Sequence, residues 1–396
     1  MVMTPSLARP RTAWVAVGTV VGAGVTAALQ VGKAAIAAPL LQADLGLDLA
    51  AVGWITAIFA VLGVVGGVPA GAVTARLGDR RVLLAGLVAI ALGAAVGGGA
   101  TTFTVLLGSR VIEGLGFLMI AVSGPAVLQR IVAAGDRDLA FALWSCFMPA
   151  GMALAMLTVP LAASWQVYWW CSGALAALSA VGIAVSVAGA DSRTRFVWRA
   201  LVKDAWATLR VGPALLAVSF ALYSLMFFAL FSFLPVLLMQ RMAVSLTAAG
   251  FLSALATAAN IAGNLIAGVL LSRGASRTTL IGIACAVMSL AALGIFIPVL
   301  PPLGALLLCV VFSGVGGMLP ATIVATTPML APAARLVPVA VGLVMQGSNL
   351  GQVIGPVAVG GAIDRFGWPS AAAIVVAAGA AGFVVSLLLR KVLRGP

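Results

Sequence analysis

The sequence has no histidine, and of its nine acidic residues only one is glutamate; there are four cysteines in 396 residues. Without histidine the commonest zinc ligand and the usual general base are both missing. No cysteine pair stands at metal-ligand spacing, so neither a metal centre, a cofactor nor a catalytic nucleophile-base pair is expected. Cys146, Cys171, Cys285 and Cys309 all lie inside apolar runs and read as small packing residues, not as a disulfide framework. Charge is scarce as well. Charged residues make up 8% of the chain, against about 25% in a soluble domain, while 63% are apolar and the mean hydropathy is +1.22. Too few charged side chains remain to face water, so a soluble enzyme is excluded and the solvent must be lipid. The 46 glycines and 19 prolines suit helices that pack closely or bend within a bilayer.

Apolar stretches long enough to cross about 30 Å of hydrocarbon predict an all-α membrane protein with twelve spans. They fall near 13–38, 50–73, 82–100, 104–130, 139–160, 167–189, 213–238, 247–271, 278–298, 303–328, 337–360 and 370–390. The first run is too long for a signal-peptide core and lacks a cleavage site, so it is expected to remain as a span. An even count puts both chain ends on one side. If that side is cytoplasmic, all 22 basic residues except Arg241 and Arg365 in outer loops and Lys33 and Arg110 inside spans lie on inner segments, as the positive-inside rule requires. The net charge of +13 is therefore spread along one membrane face, which argues against nucleic acid as a partner. The longest polar break, 190–212, separates a six-helix half over 1–189 from a second over 213–396. Its Arg195, Arg199, Lys203 and Arg210 alternate with Trp198, Leu201, Val202 and Trp206, the pattern of a helix lying on the bilayer surface.

The halves repeat. An offset of 197 superposes Gly53, Gly66, Gly71, Arg76 and Arg80 on Gly250, Gly263, Gly268, Arg273 and Arg277, and an offset of 200 pairs Gly114 and Gly116 with Gly314 and Gly316. The loop Gly71-Ala-Val-Thr-Ala-Arg76-Leu-Gly78-Asp79-Arg80-Arg81 is similar to the glycine-and-basic loop motif of the major facilitator superfamily. Arg110-Val-Ile-Glu113-Gly114-Leu-Gly116 is similar to its fourth-helix motif. The resemblance covers nearly the whole chain and implies two six-helix bundles rocking about a central site, with Gly71, Arg76, Gly78, Asp79 and Arg80 in a gating role. It also implies an acid where this chain has Ala75, leaving Asp79 either as a helix cap or as part of a rearranged latch. Within the superfamily, Gly32-Lys33 before Ala-Pro39-Leu-Leu, the Arg110 to Phe117 segment and Trp144 to Leu154 resemble the cyanate- and nitroimidazole-transporter-like branch.

An ionisable residue inside a span costs about 2.5–3.5 kcal/mol on insertion scales and is a functional candidate for that reason. Three qualify: Lys33 on the first span, and Arg110 and Glu113, three apart, on the fourth. Arg110 and Glu113 can form a self-contained ion pair. Alternatively, Lys33 joins them and two cations facing one acid bind an anion, or Lys33 snorkels to the surface. Glu113 is the candidate proton carrier, and a sodium site is disfavoured by the lack of carboxylates. The second half offers amides instead: Asn260 and Asn264, and Gln346, Asn349 and Gln352; Gln30 shares a face with Lys33. Each amide serves either as glue between helices or as cavity lining, and Trp144, Tyr223 and Phe227 either pack or line the pocket. The expectation is a monomeric secondary transporter in a bacterial inner membrane, moving a small anionic or polar solute with protons. Lys33, Arg110, Gln30, Tyr223, Asn260, Asn264, Gln346 and Asn349 would form its site. The alternatives are a proton-coupled efflux pump for lipophilic or cationic compounds, and a non-transporting sensor or scaffold.

Overall fold

The computed structural model describes residues 12–47, 49–159, 162–189 and 206–394; of the surface helix expected within 190–212, residues 190–205 lie outside them. Among the described residues, twelve helical segments are long and apolar enough to cross a membrane. They are Trp14–Leu45, Leu49–Leu77, Asp79–Gly98 and Phe103–Ile131, then a fifth made of Arg137–Ser145 and Phe147–Thr158, and Trp165–Ser186. The second six are Val211–Phe231, Leu246–Ser272 and Arg277–Phe296, a tenth made of Pro302–Gly316 and Met318–Leu330, then Val337–Phe366 and Pro369–Arg394. A short helix, Leu234–Met242, follows the seventh span.

Local chemistry sets where these helices start and break. Side-chain oxygens of Thr102, Ser164, Ser245 and Ser276 accept the backbone N–H three residues on, capping the fourth, sixth, eighth and ninth spans. The fifth span breaks at Cys146 and the tenth at Gly317, in each case three residues before a proline. Pro149 and Pro320 have no N–H to offer Ser145 and Gly316, and their rings crowd those carbonyls. Elsewhere Leu178, Val185, Leu290 and Val357 are 68%, 84%, 69% and 72% exposed, an apolar outer surface that only acyl chains can cover without cost.

The repeat predicted from glycine and arginine positions has a backbone counterpart. Gly78, between the second and third spans, and Gly274, between the eighth and ninth, have φ of 91° and 87°, a left-handed turn that glycine adopts without strain. Each lies between a pair of repeat-related arginines, Arg76 and Arg80 in one half and Arg273 and Arg277 in the other.

One face carries these loops, and we call it the basic face. Thr12 bonds Asp136 there, Arg80 Nη2 donates to Ala184 O at 2.7 Å, and Arg130 grips Asp79 through Nε at 2.9 Å and Nη2 at 3.0 Å. Asp79 also accepts its neighbour's N–H, from Arg80, at 2.6 Å. All of its partners lie in the first half, so it clamps the third and fourth spans together and does not reach across. An ion pair between halves on this face joins Arg277 Nη2 to Asp138 Oδ1 at 2.8 Å.

Beside that ion pair, the halves touch backbone to backbone. A Cβ on Gly71 would lie 2.3 Å from Pro338 O, one on Gly342 2.2 Å from Gly67 O, and one on Gly268 2.4 Å from Ala142 Cβ. These contacts join the second span to the eleventh and the fifth to the eighth, toward the basic face. A leucine at position 342 must therefore drive the second and eleventh spans toward the usual spacing of about 8–10 Å between axes. Spin labels at Arg81→Cys and Arg273→Cys, both exposed and in opposite halves, should report a longer distance in Gly342→Leu than in the parent. An unchanged distance would mean that this seam does not hold the face closed.

Candidate functional site

Lys33, Arg110 and Glu113 do come together. Lys33 Nζ donates to Glu113 Oε1 at 2.7 Å, Arg110 Nη1 donates to Glu113 Oε2, and all three side chains are fully buried. Burying a charge is tolerable only with a counter-charge and satisfied hydrogen bonds, and both kinds of partner are present. Lys33 also donates to Ser172 Oγ at 3.0 Å and lies over the Trp169 ring, 4.4 Å from its centroid. Arg110 Nε donates to Ile55 O at 3.2 Å and stacks on Phe59 at 4.2 Å. Such rings attract a cation through their quadrupole. Arg110 Nη2 and, on the ring beside Lys33, Trp169 Nε1 are buried without an acceptor. The fourth span can come this close to the third because Gly93 leaves room: a Cβ there would be 2.8 Å from Glu113 Cγ. Gln30 takes part from behind, accepting from Ser172 Oγ at 3.2 Å and donating to Thr26 O at 3.1 Å.

A separate cavity lies between the halves. Trp144, Phe147 and Met148 from the fifth span and Phe117 from the fourth form one wall; Tyr223, Phe227 and Phe228 from the seventh and Met345 from the eleventh form the other. Both helix-breaking prolines, Pro149 and Pro320, line it too. Its polar groups are Ser145, Ser224, Asn260, Ser348, Asn349 and Gln352, and no lining residue is charged.

These positions revise the expected site. Tyr223, Asn260 and Asn349 reach the cavity, whereas Asn264 stands behind Asn260, donating to its Oδ1 at 2.9 Å and its backbone oxygen at 3.0 Å. Asn260 passes the contact forward, donating to Tyr223 Oη and to Ser313 O, each at 3.0 Å. Gln346 joins the halves instead, donating to Val64 O at 2.6 Å. Lys33, Arg110 and Gln30 do not line the cavity. From Arg110 a series of rings leads to it: Phe59 to Phe117 at 5.6 Å and Phe117 to Phe147 at 6.4 Å between centroids. The charges are thus satisfied within one half, with Phe117 standing one helical turn beyond Glu113 at the cavity wall.

Two halves with a cavity at their interface is a transporter arrangement, and the Major Facilitator Superfamily family model matches residues 20–336. The chain belongs to the major facilitator superfamily. Superfamily members are transporters, not enzymes, and this one is a multi-pass membrane protein with twelve apolar spans. Two solved structures share the fold over their length. They are the human organic anion transporter MFSD10, with TM-score 0.80, 16% identity, and coverage of 97% of this chain and 100% of that one, and the proton:xylose symporter XylE, with TM-score 0.77, 13% identity, and coverage of 96% and 95%.

Sequence relatives match over shorter stretches. The multidrug efflux pump LfrA of Mycolicibacterium smegmatis is 31% identical over 153 residues, 38% of this chain and 30% of the pump. A chloramphenicol resistance protein of Streptomyces lividans is 39% identical over 94 residues, 23% of this chain and 24% of that protein. A probable 4-methylmuconolactone transporter of Cupriavidus pinatubonensis is 29% identical over 147 residues, 35% and 34%. The aligned stretches thus span about a third or less of each relative.

In this superfamily member, sequence reasoning missed Phe59, Ser172 and Trp169 around the triad and Phe117 and Phe147 at the cavity. None carries a spacing signal, because their partners lie on other spans. The triad's charge arithmetic yields an asymmetric prediction. Glu113→Gln leaves two buried cations without a counter-charge, and the cost of breaking a buried pair is about 3–5 kcal/mol. Lys33→Met removes the surplus cation and leaves the neutral Arg110 and Glu113 pair, so it should cost much less. Thermal unfolding of the two variants in detergent checks the order; equal losses would contradict the arithmetic.

Proposed function

We propose that the protein is a secondary transporter for lipophilic, uncharged or weakly polar organic compounds, in which the buried triad is the coupling device and not the substrate site. The observation that carries this reading is that the cavity between the halves has aromatic, methionine and amide linings and no charged side chain. Small-molecule sites of this kind rely on apolar contact with a few placed polar groups. Two polar atoms among the lining residues lack partners, Trp144 Nε1 and Asn349 Oδ1. One comes from each half, a donor and an acceptor for a compound carrying its own hydrogen-bonding groups.

Coupling follows from the triad. Glu113 is the sole carboxylate well inside a span, and protonating it would set Lys33 and Arg110 against each other with nothing between them. The first, fourth and sixth spans, held together through Lys33, Glu113 and Ser172, would then repack. Phe117 is placed to convey that change to the cavity. With the basic face taken as cytoplasmic, the seam keeps this arrangement closed on the cytoplasmic side. Extrusion of drug-like compounds is the direction we favour, in keeping with the partial likeness to the multidrug efflux pump and the chloramphenicol resistance protein.

The test compares binding with transport. Lipophilic compounds should raise the apparent stability of the purified protein by mass action, and Asn349→Ala or Phe227→Ala should weaken that binding by about tenfold, the effect of losing roughly 1.4 kcal/mol of contact. Lys33→Met should leave binding within about twofold while abolishing proton-driven transport in liposomes. Stabilisation by a small carboxylate that disappears in Lys33→Met would reverse the reading and make the triad an anion site.

A further inference from the structure

A second cleft opens at the basic face where the halves meet, lined by Gln129, Arg137, Asp138 and Phe141 of the first half and by Arg277 and Met329 of the second. About two helical turns of the fifth span separate Arg137 from Trp144 of the central cavity. The charges in this cleft do not balance. Two guanidiniums face one carboxylate, and Asp138 Oδ1 is already engaged by Arg277 Nη2 at 2.8 Å. Arg277 Nη1, Arg137 Nε and Gln129 Oε1 are all buried without a hydrogen-bond partner.

Unmet guanidinium donors are costly when desolvated, and in this cleft, where the Arg277 and Asp138 side chains are 19% exposed, three polar atoms lack a partner. The backbone adds to the field. Arg137 and Arg277 are each the first residue of a helix, Arg137–Ser145 and Arg277–Phe296, so each stands at the positive end of a helix dipole. The Gln129 amide can turn over to present its NH2 in place of its oxygen.

We propose that this cleft binds a small oxyanion, a carboxylate or phosphate group, held between Arg137 of one half and Arg277 of the other. Planar guanidinium forks match such oxygens in pairs. A group bound there lies across the seam, so it holds the basic face closed and has to leave before the halves part on that side. The site is independent of the compound carried in the central cavity. It makes the anion a regulator of the transport cycle, supplied either as a free solute or as the headgroup of an acidic lipid at that face.

The experiment uses the full chain and two probes. Inorganic phosphate, compared with chloride at equal ionic strength, should raise the unfolding temperature in detergent, and Arg137→Gln should need about tenfold more phosphate for the same rise. In nanodiscs, phosphatidylglycerol is compared with phosphatidylcholine alone. A rise seen only with phosphatidylglycerol, and lost in Arg137→Gln, supports the site and assigns the headgroup as its source. Gln129→Leu, which alters no charge, should show the same loss and replaces Arg137→Gln if that variant does not fold. The distance between labels at positions 81 and 273 should sharpen toward its shorter value as phosphate is added. No anion-specific rise from either probe, or the same rise in parent and variants, overturns the site. Binding that leaves the label distance unaltered overturns the bridging role.

Discussion

A charge placed in hydrocarbon needs a counter-charge beside it, and in this chain one carboxylate serves two cations. Glu113 accepts from Lys33 on the first span and Arg110 on its own. The remaining capacity of those cations is met by Ser172, Ile55 O and the faces of Trp169 and Phe59. The first, second, fourth and sixth spans are thereby bound to a single point. An Ala or Leu at 113 would leave no common partner, and the low dielectric that strengthens the pairs would then penalise the cations left behind.

The two halves share a backbone plan but not a chemistry. The first half has the triad, while among the described residues the interior of the second is polar through amides and hydroxyls, in the Asn264, Asn260 and Tyr223 series and the Gln352, Ser348 and Ser224 series. The central cavity draws on both without taking the charges of either. Breaks in the fifth and tenth spans put Pro149 and Pro320 at its wall. A broken span is where backbone groups come free and where a helix can bend as the halves rock, so the carrier's flexibility is placed beside its cavity.

Closure at the basic face depends on glycine. Gly67, Gly71 and Gly342 let backbones meet without side chains, the short-range packing that substitutes for a hydrophobic driving force in lipid. The ion pair of Asp138 and Arg277 lies on the same face. Ala75 lacks the acid that the superfamily's loop motif carries, and Asp79 spends its carboxylate on Arg130 and its own helix start. A carboxylate at the start of the fifth span makes the connection across halves in its place.

Much of this was legible in the chain. Twelve spans, two halves and the segregation of basic residues follow from composition and periodicity, because a bilayer admits few solutions: each span must be long enough, apolar enough and internally hydrogen-bonded. That Lys33 could join Arg110 and Glu113 was one of three readings open in the sequence, because a charge in lipid must find a counter-charge or reach the surface; the packing of the first span against the fourth brought the three together. Which way a helix is turned about its axis is a different kind of fact. Nearly every face of these spans is apolar, so no sequence pattern tells a cavity-lining phenylalanine from a lipid-facing one, or a sealed lysine from one open to a solute. Packing between spans decided that Phe59 and Phe117 stand between Arg110 and the cavity, that Asn349 reaches it and Gln346 does not, and that Arg277 finds Asp138. Those outcomes depend on contacts between residues far apart in the chain, and rotating a helix changes all of them without changing a residue.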